Sequence, residues 1–114
     1  MSKSRRNLSA YKAMWLFAMF DLPVDSAKAR REYSRFRVSL LKQGFSMLQY
    51  SVYARYCNSE EKSKIIAKRI KESLPPEGEV RLLAVTERQF GKMDIFFGKK
   101  KIATEEPPQQ LMLF

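Results

Sequence analysis

More than any other segment, MWLFAMFDLP, from Met14 to Pro23, restricts the folds that this chain can adopt. It contains seven consecutive apolar residues that end at a carboxylate, Asp21. A strand with one face in water alternates apolar with polar residues, whereas this run is apolar on both alternating faces. The pattern therefore predicts a central strand covered on both sides. The run is too short to span a bilayer, and no small-residue cleavage pattern follows it.

Two segments have the spacing of amphipathic helices. The first covers residues 27–43, with Asp25 or Ser26 as its cap and Gly44 at its end. The second begins at a predicted capping box formed by Asn58 and Glu61, and the prolines at 75 and 76 end it. The apolar positions of the two segments are Ala29, Tyr33, Phe36, Leu40, Ile65, Ile66, Ile70 and Leu74.

Three further segments read as strands, namely residues 46–56, 79–86 and 93–98. The order of elements is then β-α-β-α-β-β, with residues 110–114, QLMLF, as a last strand-like tail. This order favours an α+β fold with one sheet and both helices on one side, and differs from the β-α-β-β-α-β order of the split-βαβ sandwich. The other sheet face would lack cover. A homodimer packing sheet to sheet would bury it, and QLMLF could add a strand to the mate's sheet.

Positive charge is the strongest compositional signal. The 114 residues fit one domain and contain 22 Lys and Arg against 12 Asp and Glu, for a formal net charge of +10. An excess this large in a small domain indicates a polyanionic partner, with nucleic acid as the first candidate. An anionic membrane is the second candidate, but no terminal lipidation motif is present, so no membrane partner is expected.

The residue types that are absent narrow the possible chemistry. The chain has no histidine and one cysteine, Cys57. These counts exclude an intrachain disulfide, a cysteine zinc cluster, and Ser-His or Cys-His nucleophiles. They fit a reducing cytoplasm, with Cys57 as a small residue at the edge of the core. Any catalysis must use carboxylates, Tyr, Ser, Lys or Arg, or a metal bound through oxygen.

An ordered set of segments resembles a known family. The segments are MFDLP after the apolar strand, KARREYSRFRVSLLKQGF, MLQYSVYARYC, RIKESLPPEGEVRLLAVTERQF and the closing PQQLMLF. Together they resemble the second CRISPR-associated protein, the small subunit of the spacer-acquisition complex. The resemblance covers roughly residues 13 to 114. The closing tail is most similar to members from type II systems, which use a single large guide-RNA nuclease.

The resemblance implies a fold and an assembly. The implied fold is a ferredoxin-like βαββαβ sandwich with an extra C-terminal strand, in a homodimer that packs sheet to sheet. It divides the chain into a basic arm at 1–12, a ferredoxin-like domain at 13–101, and a linker with C-terminal strand at 102–114. This last segment would exchange with the mate or dock the integrase. The implied partners are two dimers of the CRISPR-associated integrase, bridged by one dimer of this protein, and an incoming double-stranded DNA.

The resemblance also implies site residues. Family members are described as magnesium-dependent endonucleases on RNA or DNA, and the aspartate at the position of Asp21 is their magnesium ligand and catalytic residue. Two copies of Asp21 could share one Mg²⁺ across a dimer, since this ion keeps waters and shares phosphate ligands. From the residues alone, the favoured interpretation of Asp21 is a turn-former that accepts backbone hydrogen bonds before Pro23. The predicted nucleic-acid contacts are Lys28, Arg30, Arg31, Arg55, Lys99, Lys100 and Lys101.

Three functions stay open at this point. The first is a DNA-binding subunit of a spacer-integration complex, which assembles around another enzyme's active site. The second is a metal-dependent endonuclease that acts alone. The third is a basic RNA-binding module unrelated to CRISPR.

Overall fold

The computed structural model describes residues 13–108. The predictions for the basic arm at 1–12 and the tail at 110–114 lie outside these residues. The elements, in chain order, are β1 (Met14–Asp21), α1 (Ala27–Lys42), β2 (Ser46–Gln49), β3 (Val52–Cys57), α2 (Glu60–Lys71), β4 (Glu79–Thr86), α3 (Glu87–Gly91), β5 (Ile95–Phe97) and β6 (Lys100–Ile102).

The first four strands form one antiparallel sheet. Its strand order is β2-β3-β1-β4, so β1 is central and is hydrogen-bonded on both sides. With α1 and α2 as the two crossover helices, this is the ferredoxin-like βαββαβ arrangement. The predicted fold class and the central position of the apolar strand are therefore confirmed.

The prediction of a single strand over residues 46–56 is wrong. The segment is a hairpin that turns at Tyr50 and Ser51, so that Gln49 pairs with Val52. Ser51 has a left-handed backbone, with φ of 64°. Such turns usually carry Gly, Asn or Asp, and their absence here hid the turn. The extra strand changes the element order from the predicted β-α-β-α-β-β to that of the split-βαβ sandwich.

Both helices pack on the same face of the sheet, as predicted. Alternate residues of β1 point to this side, and they form one core cluster with the buried apolar residues of α1 and α2. The cluster comprises Leu16, Ala18, Phe20, Leu22, Phe36, Leu40, Phe45, Tyr53, Cys57, Ile66 and Ile70. Burial raises the pKa of the Cys57 thiol, so this side chain is a neutral part of the core at neutral pH.

The opposite face of the sheet is covered in part by the same chain. The Trp15 ring stacks on Phe90 of α3, with ring centroids 4.0 Å apart and planes 8° apart. The Trp15 indole also donates a hydrogen bond to Glu87 at the start of α3. The expectation that this face lacks intrachain cover is therefore wrong for Trp15. Further along the face Leu83 remains 51% exposed, so the homodimer stays a prediction.

The last two strands form a separate hairpin. β5 and β6 pair with each other and not with the main sheet. The turn between them includes Gly98, which has a left-handed φ of 59°. The predicted strand at 93–98 is thus shorter, and the predicted boundary between residues 101 and 102 falls inside β6.

The helix ends agree with the sequence in part. Ser26, one of the two predicted caps, accepts a hydrogen bond from the Ala29 N–H at 3.0 Å. The second helix is capped by Ser59 and not by Asn58, because the Ser59 hydroxyl accepts from the Lys62 N–H. None of the helices within residues 13–108 is long and apolar enough to cross a membrane.

Candidate active site

A shallow depression of about 250 Å³ lies where β1 ends at Asp21. Since β1 is central, the Tyr50–Ser51 turn borders the depression on one side and the start of β4 borders it on the other. We call this feature the Asp21 depression. Its lining residues are Met19, Phe20, Asp21, Tyr50, Ser51, Val52, Glu79 and Arg81.

Asp21 is held by its main chain, while its carboxylate is exposed. It is the Cα partner of Glu79 at the end of the β1–β4 ladder. The preceding residue, Phe20, donates its N–H to the Ser51 carbonyl at 3.1 Å. The Asp21 side chain is exposed, and no hydrogen bond or ion pair within residues 13–108 engages its carboxylate. The geometry thus gives no sign that Asp21 acts as a turn-former, and leaves its oxygens available to a ligand.

Gly78 packs directly against the Asp21 main chain. Its φ is +97°, a left-handed value that side chains other than glycine rarely adopt. A Cβ at this position would lie 2.8 Å from the Asp21 carbonyl oxygen and 2.7 Å from Leu22 Cδ2. Only a glycine therefore lets the loop before β4 approach the end of β1 this closely.

Gly78→Ala is expected to destabilise the protein. The left-handed backbone alone costs a residue with a Cβ at least about 1 kcal/mol, and the contact with the Asp21 carbonyl adds to this cost. Chemical denaturation should therefore show a lower free energy of unfolding. Gly91→Ala is the matched control, because a Cβ there meets no atom within 4 Å and φ is not left-handed. Equal stability of the two variants would contradict this account.

The depression also contains an ion pair that the sequence analysis did not single out. Arg81 donates from Nε and Nη2 to the two carboxylate oxygens of Glu79, at 3.1 Å each. These hydrogen bonds, with the charge of Arg81, lower the pKa of Glu79. Arg81 is the Cα partner of Met19 and lies on the same sheet face as Asp21. Its guanidinium is therefore fixed in orientation beside the proposed catalytic carboxylate.

Tyr50 forms the opposite border of the depression and is 78% exposed. One side of its ring is backed by Tyr33 of α1, with ring centroids 6.3 Å apart and planes 25° apart. The hydroxyls of Tyr33 and Ser51 lie 3.3 Å apart. Hydrogen bonding to Tyr33 raises the pKa of Tyr50, so its phenol is neutral at neutral pH and does not repel an anion. Tyr50 was predicted to lie inside a strand over residues 46–56, so it was not among the predicted site residues.

The oxygen donors of one chain fit a weakly caged magnesium ion. Within residues 13–108, no three His, Cys, Asp or Glu side chains come together as a metal site. Asp21 offers one unengaged carboxylate, while that of Glu79 is occupied by Arg81. Magnesium is commonly held by one or two carboxylates together with waters and phosphates. Asp21 therefore fits as one protein ligand, but not as part of a complete cage within one chain.

The predicted basic residues of α1 lie on its first turns. Lys28, Arg30 and Arg31 are all exposed there. Arg30 Nη1 donates to the Val24 carbonyl at 3.1 Å, which holds this side chain against the loop after β1. Lys28 lines a second cavity of about 120 Å³ between that loop and Pro75. This group thus borders a different depression from the one that contains Asp21.

The other predicted basic residues lie elsewhere. Arg55 is on the helix-facing side of β3, and its Nε and Nη1 donate to the carbonyls of Gln43 at 2.6 Å and Tyr56 at 2.9 Å. Lys99, Lys100 and Lys101 are exposed on the β5–β6 hairpin, and Lys101 Nζ is 2.9 Å from the Asp94 carboxylate. One chain therefore does not gather the predicted contacts into a single patch, and the contacts of Arg55 are structural in kind.

Comparisons with known proteins identify relatives along nearly the whole chain. A family model described as CRISPR associated protein Cas2 matches residues 14–93. A protein of Parvibaculum lavamentivorans is 50% identical over 101 residues, which cover 89% of this chain and 100% of the relative. Relatives from Flavobacterium psychrophilum (45% over 107 residues, 94% and 93% covered) and Streptococcus mutans (35% over 99 residues, 87% and 91% covered) are also similar. All three are named CRISPR-associated endoribonuclease Cas2.

Proposed function

Because the chain belongs to the CRISPR-associated Cas2 family, we propose that it is a CRISPR-associated endoribonuclease whose catalytic carboxylate is Asp21. The endoribonuclease activity is supported by the relatives, which are named endoribonucleases. The observation that supports Asp21 is its placement, exposed at the end of a buried central strand and inside a depression open to a ligand. A rigid strand of this kind holds a catalytic group in a fixed position. The alternative of a module unrelated to CRISPR is wrong, given the family match.

Asp21 would hold magnesium together with the Asp21 of a second copy. When bound, magnesium supplies charge neutralisation and Lewis-acid polarisation at a phosphoryl oxygen. The contribution of this chain is to keep the carboxylate oxygens oriented, through the main-chain pairing of β1 with β4 and with the Ser51 carbonyl. The two-copy arrangement rests on the proposed sheet-to-sheet dimer. In that dimer the exposed face around Leu83 would be buried.

The proposal is tested with end-labelled single-stranded RNA and the purified protein. Cleavage is expected with magnesium and not with a chelator, and it is expected to require Asp21. Absence of cleavage across pH and substrates, in a correctly folded preparation, would remove the support for this function.

A second function is favoured by the distribution of positive charge. The net charge is +10, and the exposed basic residues lie on separate surfaces of the fold and not around one small site. The start of α1 and the β5–β6 hairpin both carry such residues among the predicted contacts. An extended distribution suits a long polyanion whose backbone is contacted at many points. The protein would then be an adaptation subunit, whose homodimer bridges two integrase dimers and binds the incoming duplex DNA.

The adaptation role predicts a strong salt dependence of DNA binding. The logarithm of duplex affinity should fall with the logarithm of salt concentration by about 0.9 for each phosphate contacted. Replacing Lys28 and Arg31, or Lys99 and Lys100, with glutamine should make the slope shallower by up to about two units. Fluorescence anisotropy measures this slope.

The matched control removes two positive charges from α2 through Lys64→Gln and Lys68→Gln, both of which are exposed. Its slope should stay close to that of the unmodified protein. A flat salt profile for the unmodified protein, or equal slopes for all variants, would contradict the assigned contacts. Co-expression with a CRISPR-associated integrase should yield a co-purifying complex, and its absence would argue against the bridging role.

A further inference from the structure

The most exposed aromatic ring described in the chain lies beside the proposed catalytic carboxylate. Within residues 13–108, Tyr50 is 78% exposed, and the other exposed large apolar side chains are all less exposed than this. At the tip of the turn, most of the ring is open to solvent, and its aromatic contact is with Tyr33. One side of the ring is nevertheless supported by Tyr33, which stacks against it. Phe20 in turn packs edge-on against Tyr33, with ring centroids 5.8 Å apart.

This arrangement leaves one face of the Tyr50 ring available. Because Tyr33 occupies one side, a planar group can stack on the other side without displacing any contact of the fold. Nucleic-acid bases bind single-strand-binding proteins in this way, and every base offers a π face. A base inside a duplex is already stacked on its neighbours. The ring therefore suits an unpaired base.

Arg81 provides the complementary contact on the other side of Asp21. Tyr50 and Arg81 both line the depression, Tyr50 on its β3 side and Arg81 on its β4 side, with Asp21 between them along the sheet. Glu79 holds the Arg81 guanidinium by two of its nitrogens, while the side chain remains 71% exposed. An oriented guanidinium of this kind is well suited to bind a phosphate oxygen.

We propose that the Asp21 depression is a single-nucleotide subsite, in which Tyr50 stacks an unpaired base and Arg81 binds the phosphate beside it. The catalytic use of this subsite rests on the proposed nuclease function. Its contacts with the base and the phosphate do not depend on that function. It assigns Tyr50 and Arg81 as substrate-contacting residues that place the adjacent phosphodiester next to Asp21. Neither side chain reads the sugar, so single-stranded DNA is expected to bind as RNA does.

The test uses single-stranded oligonucleotides that carry one 2-aminopurine, a base whose fluorescence is quenched when it stacks. The measurements are made without magnesium, so that binding is separated from cleavage. The full-length protein is expected to quench the single strand and not the duplex of the same sequence. Tyr50→Leu should remove the quenching and weaken binding about 10-fold, as loss of one base–aromatic stack does. Tyr50→Phe, which keeps the ring, should behave as the unmodified protein does.

Arg81 is tested through the salt dependence of the same binding. Arg81→Gln should make the slope for single strands shallower by about 0.7, the value for one lost phosphate contact. Lys64→Gln, an equal loss of charge on the outer face of α2, should leave the slope unchanged. Circular dichroism and thermal unfolding check that each variant is folded.

The outcomes separate this inference from the nuclease proposal. Quenching that depends on Tyr50, in a protein that cleaves nothing, supports the subsite and contradicts the nuclease. Cleavage that is unaffected by Tyr50→Leu and Arg81→Gln supports the nuclease and overturns the subsite. Absence of quenching by the unmodified protein, or equal quenching by Tyr50→Leu, also overturns the subsite.

Discussion

Replacing Asp21 with asparagine is expected to reduce RNA cleavage by at least about 100-fold. A bound metal contributes several kcal/mol of transition-state stabilisation, and each 1.4 kcal/mol corresponds to a tenfold change in rate. Asparagine keeps the size and hydrogen-bonding oxygen of the side chain but removes the negative charge that attracts magnesium. The exposed position of Asp21 means that the fold should be unaffected. Initial rates over a range of magnesium concentrations measure the effect.

Asp25→Asn is the matched control for this experiment. It makes the same chemical change at an exposed residue nearby in sequence, which lines the cavity beside Pro75 and not the Asp21 depression. Its rate and magnesium dependence should match those of the unmodified protein. If both variants cleave normally, then Asp21 is not the catalytic residue. If Asp21→Asn abolishes cleavage while DNA binding and integrase assembly persist, then the two proposed functions are separable within one protein.

Replacing Phe36 with alanine is expected to lower the free energy of unfolding by about 3 to 5 kcal/mol. Phe36 is fully buried between α1 and the sheet, and its ring meets Phe20 edge-on at 5.3 Å. The loss combines the transfer free energy of the ring with the cavity that it leaves. Domains of this size have a total stability of roughly 5 to 15 kcal/mol, so the change is a large share. Urea denaturation followed by circular dichroism measures it.

Two further variants make the stability prediction decisive. Phe36→Leu keeps most of the apolar volume and should lose less, so it remains measurable if the alanine variant does not fold. Leu41→Ala on the same helix is the surface control, because Leu41 is 43% exposed. Its cost is expected to be about 0.5 kcal/mol. A loss at Phe36 no larger than that at Leu41 would show that α1 does not pack on the sheet as described.

Sequence patterns predicted the elements whose burial is regular. The unbroken apolar run of β1 and the helical spacing of Phe36, Leu40, Ile66 and Ile70 gave the central strand and the helix-covered face. The hairpin at Tyr50 and Ser51 escaped prediction, because a serine with left-handed φ gives no signal in its residue type. The helix α3 was not predicted, although the sequence contains the Thr86 and Gln89 of its capping box.

The candidate site was predicted only at its centre. Asp21 stood out because a charge ends an apolar run, and the structure places it in an open depression. Arg81 and Tyr50 join it through strand pairing between segments far apart in sequence, which residue patterns do not reveal. In the opposite sense, Arg55 looked like a phosphate ligand because it is basic and lies on a polar strand face. Its guanidinium instead donates to the carbonyls of Gln43 and Tyr56.

The central position of β1 has a consequence for synthesis. β1 leaves the ribosome before both of its neighbours, and Met14 finds its partners only when Cys57 and then Thr86 have been made. Pairings between such distant segments form late in folding, because bringing the segments together costs the connecting chain conformational entropy. Until β4 emerges, the seven apolar residues of the central strand have an open edge on a nascent chain. The strand that anchors the Asp21 depression is thus an aggregation-prone edge until β4 has been synthesised.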